Sequence, residues 1–218
     1  MRYATVLFDL DGTLLDTIGM IVESLEHALN EHLGWVPSHP ELVAGVGTPL
    51  LDQLRGHVAR VRDEVCEDLV STLKTTYVSH NLSIHDDRVS AYPGAGATLD
   101  GLRAAGARLG IVTSKPNATA RRGLRLCGLE SYFEVVVGSD DVVRHKPDPM
   151  PVFAALEQLG APASSAVFIG DSPHDVRAGN AAGVRTGAAL WGPFPRESLT
   201  PAAPSYWLDA PTDVLDLL

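Results

Sequence analysis

Residues 4–13 read Ala-Thr-Val-Leu-Phe-Asp-Leu-Asp-Gly-Thr, and this stretch decides the fold class. Its first five residues are apolar or β-branched without polar alternation, which is typical of a strand buried on both faces of a parallel sheet. Two acids, Asp9 and Asp11, follow at once. Ligands of open α/β sheets bind at the carboxyl ends of the strands. The stretch therefore predicts both a parallel sheet and the edge of it that carries a site.

Short apolar runs of the same kind recur along the chain, at 107–113, 134–137, 165–169 and 184–190. Helix-length segments separate these runs: Pro149 and Pro173 begin two of them, and Asn117 is expected to cap a third. Residues 207–208 are expected to add an edge strand and 211–218 a closing helix. Strands that alternate with helices predict a doubly wound, Rossmann-like parallel α/β sheet.

The segment between the first strand and the rest behaves differently, because it carries no strand signal. Its apolar side chains recur three and four residues apart in three stretches, 18–33, 50–58 and 65–77. An all-helical block inserted into an α/β chain predicts a second, smaller domain. We therefore expect a core formed by residues 1–15 and 89–218 and a helical insertion at 16–88.

Composition limits the partners. Seventeen Lys and Arg residues against 27 Asp and Glu give the 218-residue chain a net charge of −10, which disfavours a general nucleic-acid or anionic-membrane surface. No apolar run approaches the roughly 20 residues that span a bilayer. The two cysteines, Cys66 and Cys127, form no CxxC spacing. We expect a cytoplasmic protein that acts on a small molecule, with no nucleic-acid or membrane partner.

Polar clusters follow the predicted strands and share one edge of the sheet. They are DLDGT at 9–13, TSK at 113–115, HKPD at 145–148 and GDSPHD at 170–175. Separate strands thus deliver acids, hydroxyls and lysines to one place. This convergence carries more weight than any single motif.

In order, DLDGTLLDT, IVTSK, HKPDP and GDSPHD resemble the four motifs of the haloacid dehalogenase-like (HAD) hydrolase superfamily. The resemblance spans the chain, since the insertion is similar to that superfamily's small helical cap. Residues 139–152 and 170–183 are most similar to phosphoglycolate phosphatases and the related bacterial pyrophosphatases. The resemblance implies a Mg²⁺-dependent phosphatase that hydrolyses a small phosphorylated metabolite, such as 2-phosphoglycolate, or pyrophosphate.

The residue chemistry and the resemblance together imply catalytic roles. Asp9 would be the nucleophile and form an aspartyl-phosphate that water then hydrolyses. Asp11 would protonate the leaving oxygen and afterwards activate the water. Lys146 would neutralise the phosphoryl oxygens. The Thr113 hydroxyl and nearby backbone amides would donate hydrogen bonds to them, which makes Thr113 and Ser114 the expected substrate-binding residues of the core.

The expected cofactor is Mg²⁺, which prefers a few carboxylates plus substrate phosphate over a complete protein cage. Asp9 and Asp171 would supply carboxylates, and the resemblance adds the backbone carbonyl of Asp11. Asp175 is expected either to bind a metal water or to hold Lys146.

Substrate choice is expected in the insertion, because the core motifs contact only the phosphoryl group. The loop 45–50 (GVGTPL) resembles a segment that faces the active site in this subgroup. Thr48 is therefore a candidate substrate-binding residue, with Arg55 as a second.

Two other functions stay open at this point. A receiver-like phospho-acceptor uses similar residues on a doubly wound sheet, but without DxDGT followed by a helical insertion. A hexose-phosphate mutase shares the cap and both acids, but typically has DGV where this chain has Gly12-Thr13. The sequence does not decide between pyrophosphate and 2-phosphoglycolate, or between a monomer and a homodimer.

Overall fold

The computed structural model of the protein describes residues 3–218. The chain divides into two compact units. The core unit contains the described residues up to Asp16 together with Ser90–Leu218, and the helical unit contains Thr17–Val89. Each boundary lies one residue after the position predicted from the sequence.

The described residues form eight strands and nine α-helices. The strands are β1 (Thr5–Phe8), β2 (Leu15–Asp16), β3 (Ser90–Ala91), β4 (Arg108–Val112), β5 (Val135–Val137), β6 (Ala166–Gly170), β7 (Arg185–Ala189) and β8 (Tyr206–Leu208). The helices are α1 (Ile18–Leu33), α2 (His39–Gly45), α3 (Leu50–Val61), α4 (Glu67–Arg88), α5 (Ala95–Ala104), α6 (Asn117–Leu126), α7 (Met150–Leu159), α8 (Pro173–Ala181) and α9 (Arg196–Leu199).

Six strands of the core unit form one parallel sheet in the order β5-β4-β1-β6-β7-β8. Every residue of β1, β5 and β6 is buried, as the continuous apolar runs predict. The cluster that includes Leu7, Val112 and Phe168 is completed by side chains of α7 and α8. The predicted doubly wound α/β fold is confirmed.

The helical unit buries the apolar faces of its helices against one another. Val22, Leu25 and Leu29 of α1 lie in one cluster with Leu54 of α3 and Leu73 of α4. The unit is all-helical, as the spacing predicts, although the short helix α2 was not predicted. Val65, which the spacing puts on a helical face, precedes α4 and is exposed.

Two local expectations need correction, and one pair of strands was not predicted. Asn117 does not cap α6, because it is the first residue of the helix and its side-chain amide donates to Val136 C=O and to Asp141. The Asn117 N–H instead donates to the carboxylate of Asp140, a partner 23 residues away. The expected closing helix is a 3₁₀ helix at Pro211–Leu217. The antiparallel pair β2–β3 was not predicted, since two-residue strands leave no periodicity to detect.

Candidate active site

The strand order places a topological switch point beside β1. The chain runs from β1 to β4 and β5 on one side of it, and then to β6, β7 and β8 on the other. Crevices of this kind, at the carboxyl ends of the strands, are where open α/β sheets bind ligands. Asp9 directly follows β1 and Asp171 directly follows β6, so these two acids flank the switch point.

Lys146 joins two of the predicted acids. Its ammonium nitrogen Nζ lies 2.7 Å from Asp9 Oδ1 and 2.6 Å from Asp175 Oδ1, and it also donates to the Val112 carbonyl at 3.2 Å. All three charged side chains are buried. A lysine with this burial and these partners is fixed in place between the strand ends.

Asp175 is held from the beginning of α8. Its second oxygen, Oδ2, accepts hydrogen bonds from the Ser172 N–H at 3.0 Å and the Ser172 hydroxyl at 2.6 Å. The Ser172 hydroxyl in turn caps the helix by accepting from the Asp175 N–H. Of the two predicted roles of Asp175, contact with Lys146 is therefore observed.

Asp171 is packed between Gly12, which belongs to the DLDGT motif, and Gly192, which no sequence motif indicated. Gly12 has φ +88°, and a Cβ there would lie 2.6 Å from Asp171 Oδ2. A Cβ at Gly192 would lie 2.4 Å from Asp171 Cβ. The hydroxyl of Thr13 donates to Asp171 Oδ1 at 2.7 Å, and the indole N–H of Trp191 donates to the Thr13 carbonyl at 2.8 Å. The loop after β7 thereby helps to position the acid that follows β6.

The cluster after β4 meets Asp11. Lys115 Nζ lies 2.6 Å from Asp11 Oδ1, and both side chains are largely buried. Thr113 is buried, and its hydroxyl oxygen accepts from the Lys115 N–H at 3.1 Å, so its own proton remains to donate. Ser114 lies between them and is half-buried.

The candidate substrate residue Thr48 belongs to the helical unit. It lies in the turn between α2 and α3, where its N–H donates to the Gly45 carbonyl and its own carbonyl accepts from the Gln53 amide at 2.7 Å. The side chain of Arg55, on α3, contacts Glu67 and Asp52. A substrate contact by either residue stays a prediction.

Burial of several acids together changes their protonation. Desolvation, reinforced by the neighbouring Asp175 carboxylate, raises the pKa of Asp9 to about 7 although Lys146 opposes the change. The same causes raise the pKa of Asp171 well above its usual range. Burial disfavours the charge of Lys146, but Asp175 and Asp9 outweigh that effect, so its pKa is raised.

The donor set fits a divalent cation. Asp9, Asp171 and Asp175 each offer a carboxylate oxygen, and these oxygens all lie within 4.8 Å of one another. Three buried carboxylates share one ammonium, that of Lys146, which leaves two negative charges uncompensated when all three are ionised. An oxygen-preferring cation of charge +2 matches both the ligand type and the missing charge. The Asp11 carboxylate is not in this group and contacts Lys115 instead.

Among the described residues, no helix combines the length and the apolar character needed to cross a bilayer.

Comparisons with known proteins bear on the family to which the chain belongs. The family model of the haloacid dehalogenase-like hydrolases matches residues 6–189. Pyrophosphatase PpaX of Bacillus velezensis is 37% identical over 216 residues, which covers 99% of this chain and 96% of that protein. Pyrophosphatase PpaX of Halalkalibacterium halodurans is 35% identical over 218 residues, covering 100% of this chain and 98% of the relative.

Solved structures show the same fold. A crystal structure assigned to a phosphoglycolate phosphatase of Lactobacillus plantarum superposes with a TM-score of 0.87 at 27% identity, and each chain is covered completely. A haloacid dehalogenase-like hydrolase of Bacteroides fragilis gives a TM-score of 0.88 at 23% identity, covering 98% of this chain and 100% of that one. The chain therefore belongs to the haloacid dehalogenase-like hydrolases, in the group that holds the phosphoglycolate phosphatases and bacterial pyrophosphatases.

Proposed function

We propose that this enzyme is a Mg²⁺-dependent phosphatase that hydrolyses a small phosphorylated compound or pyrophosphate through an aspartyl-phosphate. One observation carries the proposal: Asp9, Lys146, Asp171 and Asp175 form one buried cluster at the switch point of the sheet. Phosphoryl transfer needs mainly positioning and charge neutralisation around the phosphoryl oxygens. A carboxylate nucleophile beside a fixed ammonium and a cation-binding group supplies both.

The chain's own residues divide the work. Asp9 attacks the phosphorus, and Lys146, already in contact with Asp9, neutralises the charge of the phosphoryl oxygens. The Thr113 hydroxyl and Ser114 hold the same oxygens. Asp11 gives a proton to the leaving oxygen and later takes one from the water that hydrolyses the aspartyl-phosphate. Asp175 keeps Lys146 in place through its fixed carboxylate.

Asp9 and Asp171, with the carbonyl of Asp11, would hold Mg²⁺, and Asp175 would complete its surroundings. The bound cation would supply positive charge that orients the substrate phosphate and balances its oxygens. Burial fits this role, since Asp9 and Asp171 otherwise resist ionisation.

The helical unit is proposed as the cap that selects the substrate, with Thr48 as a contact. The relatives named as pyrophosphatases and the structures assigned as phosphoglycolate phosphatases favour those two substrates. A non-enzymatic phospho-acceptor finds no support in a family of hydrolases. A phosphohexose mutase is tested by the assay described next.

The test measures phosphate release with and without Mg²⁺ from pyrophosphate, 2-phosphoglycolate, sugar phosphates and nucleotides. We expect metal-dependent release that Asp9→Asn lacks, while Asp209→Asn, which changes an exposed carboxylate of the core unit, keeps it. The compound with the largest kcat/KM identifies the substrate. Isomerisation of a hexose phosphate without phosphate release would instead establish a mutase, and full activity of Asp9→Asn would exclude Asp9 as the nucleophile.

A further inference from the structure

Lys115 is a buried cation on the leaving-group side of the site that the mechanism above does not use. Its ammonium contacts the Asp11 carboxylate at 2.6 Å, and only about a tenth of each side chain is exposed. The chain has 14 arginines and only three lysines. Two of those lysines, Lys115 and Lys146, contact predicted catalytic acids of the core unit. The third, Lys74, lies exposed on α4.

We propose that Lys115 binds a negative charge on the leaving group, so that the site prefers phosphate compounds with a second anionic group just beyond the bridging oxygen. This inference rests on the proposed function, since it takes Asp11 as the residue that protonates the leaving oxygen. Pyrophosphate, through its second phosphoryl group, and 2-phosphoglycolate, through its carboxylate, share this chemistry. A simple alkyl phosphate lacks it.

The geometry follows from the position of Asp11. A leaving oxygen that takes a proton from Asp11 lies within hydrogen-bond distance of that carboxyl group. The Lys115 ammonium is one hydrogen bond away from the same carboxyl group and carries three donors. An anionic group attached one or two bonds beyond the leaving oxygen therefore comes within its reach.

The backbone keeps Lys115 at this place. Its N–H donates to the Thr113 hydroxyl at 3.1 Å, and its carbonyl accepts from the Ser139 N–H at 3.0 Å. Lys146 is unsuited to the same task, because its ammonium contacts Asp9, Asp175 and the Val112 carbonyl. Lys115 therefore contacts the proposed acid, Asp11, whereas Lys146 contacts the proposed nucleophile, Asp9.

Electrostatics favours a cation at this position. The site brings together four carboxylates, those of Asp9, Asp11, Asp171 and Asp175, in a chain of net charge −10. A substrate with two adjacent anionic groups is repelled by this field unless positive charge meets each group. Lys146 and the cation would face the transferred phosphoryl group, and Lys115 would face the remaining anion.

The experiment compares substrates that differ only in that anion. For Lys115→Met, we expect kcat/KM to fall about 10- to 100-fold more for 2-phosphoglycolate than for ethyl phosphate. This is the effect expected when one hydrogen bond to a charged group of the substrate is lost. Lys115→Arg, which keeps the charge, restores most of the preference, and Lys74→Met changes nothing. Equal losses on both substrates would overturn the proposal and leave Lys115 as a positioning residue for Asp11. Whether pyrophosphate or 2-phosphoglycolate suffers the larger loss tells which anion the lysine meets.

A binding measurement keeps the inference separate from the proposed function. With Mg²⁺ present, calorimetry compares methylenediphosphonate with methylphosphonate. We expect Lys115→Met to weaken only the diphosphonate, by about 10-fold or more; equal affinities in wild type and variant would refute the subsite. If the wild type hydrolyses no compound, the proposed function fails, while this comparison still decides whether Lys115 binds a second anion.

Discussion

The two units of the molecule differ in whether they bury charged side chains: both carry exposed ion pairs, such as Arg108–Glu134 in the core unit, but only the core unit has buried Asp and Lys residues. In the core unit, Asp9, Lys146, Asp171 and Asp175 are all buried, and Lys146 joins Asp9 to Asp175. In the helical unit, which the structure describes throughout, no Asp, Glu, Lys or Arg is buried. In its Arg55–Glu67 ion pair, the two side chains are 42% and 64% exposed.

This difference shows which charges define the site. Removing one partner of a buried ion pair leaves a desolvated charge behind, whereas an exposed pair contributes little because water screens it. Charges of the helical surface can therefore change at small cost, while those of the core cluster depend on one another.

Replacing Lys146 by methionine tests the buried cluster directly. The change keeps the length of the side chain but leaves the carboxylates of Asp9 and Asp175 facing each other without an ammonium. We expect the free energy of unfolding to drop by about 3–5 kcal/mol and phosphate release to be lost. Urea unfolding in EDTA measures the first effect, with the exposed Lys74→Met as control. A decrease in unfolding free energy of less than about 1 kcal/mol would mean that the acids relieve their repulsion by binding protons, so that Lys146 is not needed to neutralise them.

Gly192→Ala tests the packing around Asp171. The new methyl group would lie 2.4 Å from Asp171 Cβ and 2.8 Å from the Gly12 carbonyl oxygen, so the backbone on one side must move. We expect a loss of about 1–3 kcal/mol in unfolding free energy and weaker Mg²⁺ binding by calorimetry. Gly56→Ala is the matched control, because that glycine lies in the exposed face of α3 with open space around it. There we expect a gain of about 0.5–1 kcal/mol. Unchanged metal affinity in Gly192→Ala would show that Asp171 does not depend on this contact.

Gly192 also marks the limit of what the sequence could predict. Strand ends are local, so the apolar runs directly before Asp9 and before Asp171 were sufficient to predict that both acids lie at one sheet edge. The contact of the loop 190–193 with Gly12 joins residues about 180 positions apart, and no periodicity encodes it. The Lys115–Asp11 pair was missed for the same reason, although TSK had been recognised as a polar cluster. The Asp140 contact that caps α6 is likewise nonlocal.

The pH dependence of stability distinguishes the two units by its sign. Burial raises the pKa of Asp9 to about 7 and that of Asp171 above its usual range, so the folded protein retains protons that the unfolded chain has already released. Stability without metal should therefore fall as the pH rises from about 4 to about 7. Hydrogen bonds from Ser38 lower the pKa of Glu41, in the helical unit, to about 2, so its contribution is present above about pH 4.5 and is lost as the pH falls toward 2.

Thermal melting between about pH 5 and pH 8 in EDTA measures the core effect. We expect the melting temperature to decrease with pH in the wild type, and Asp171→Asn to flatten that decrease. Mg²⁺ should restore the melting temperature most strongly at the high-pH end, where the carboxylates are ionised and free to bind it. If the melting temperature of the wild type and that of Asp171→Asn changed with pH in parallel, Asp171 would not be the source of the pH dependence.

Glu67→Gln gives the smallest expected effect and completes the contrast. The substitution keeps the shape of the side chain but removes the charge that meets the Arg55 guanidinium at 2.9 Å. Because the pair is exposed, we expect the melting temperature to change by less than about 3 °C, and the change to shrink further in 0.5 M NaCl. Arg55 also contacts Asp52 at 3.2 Å, so it retains one partner in the variant. A loss of stability as large as that of Lys146→Met, and unchanged by salt, would contradict this expectation. The surface ion pair would then stabilise the helical unit as strongly as the buried cluster stabilises the core unit.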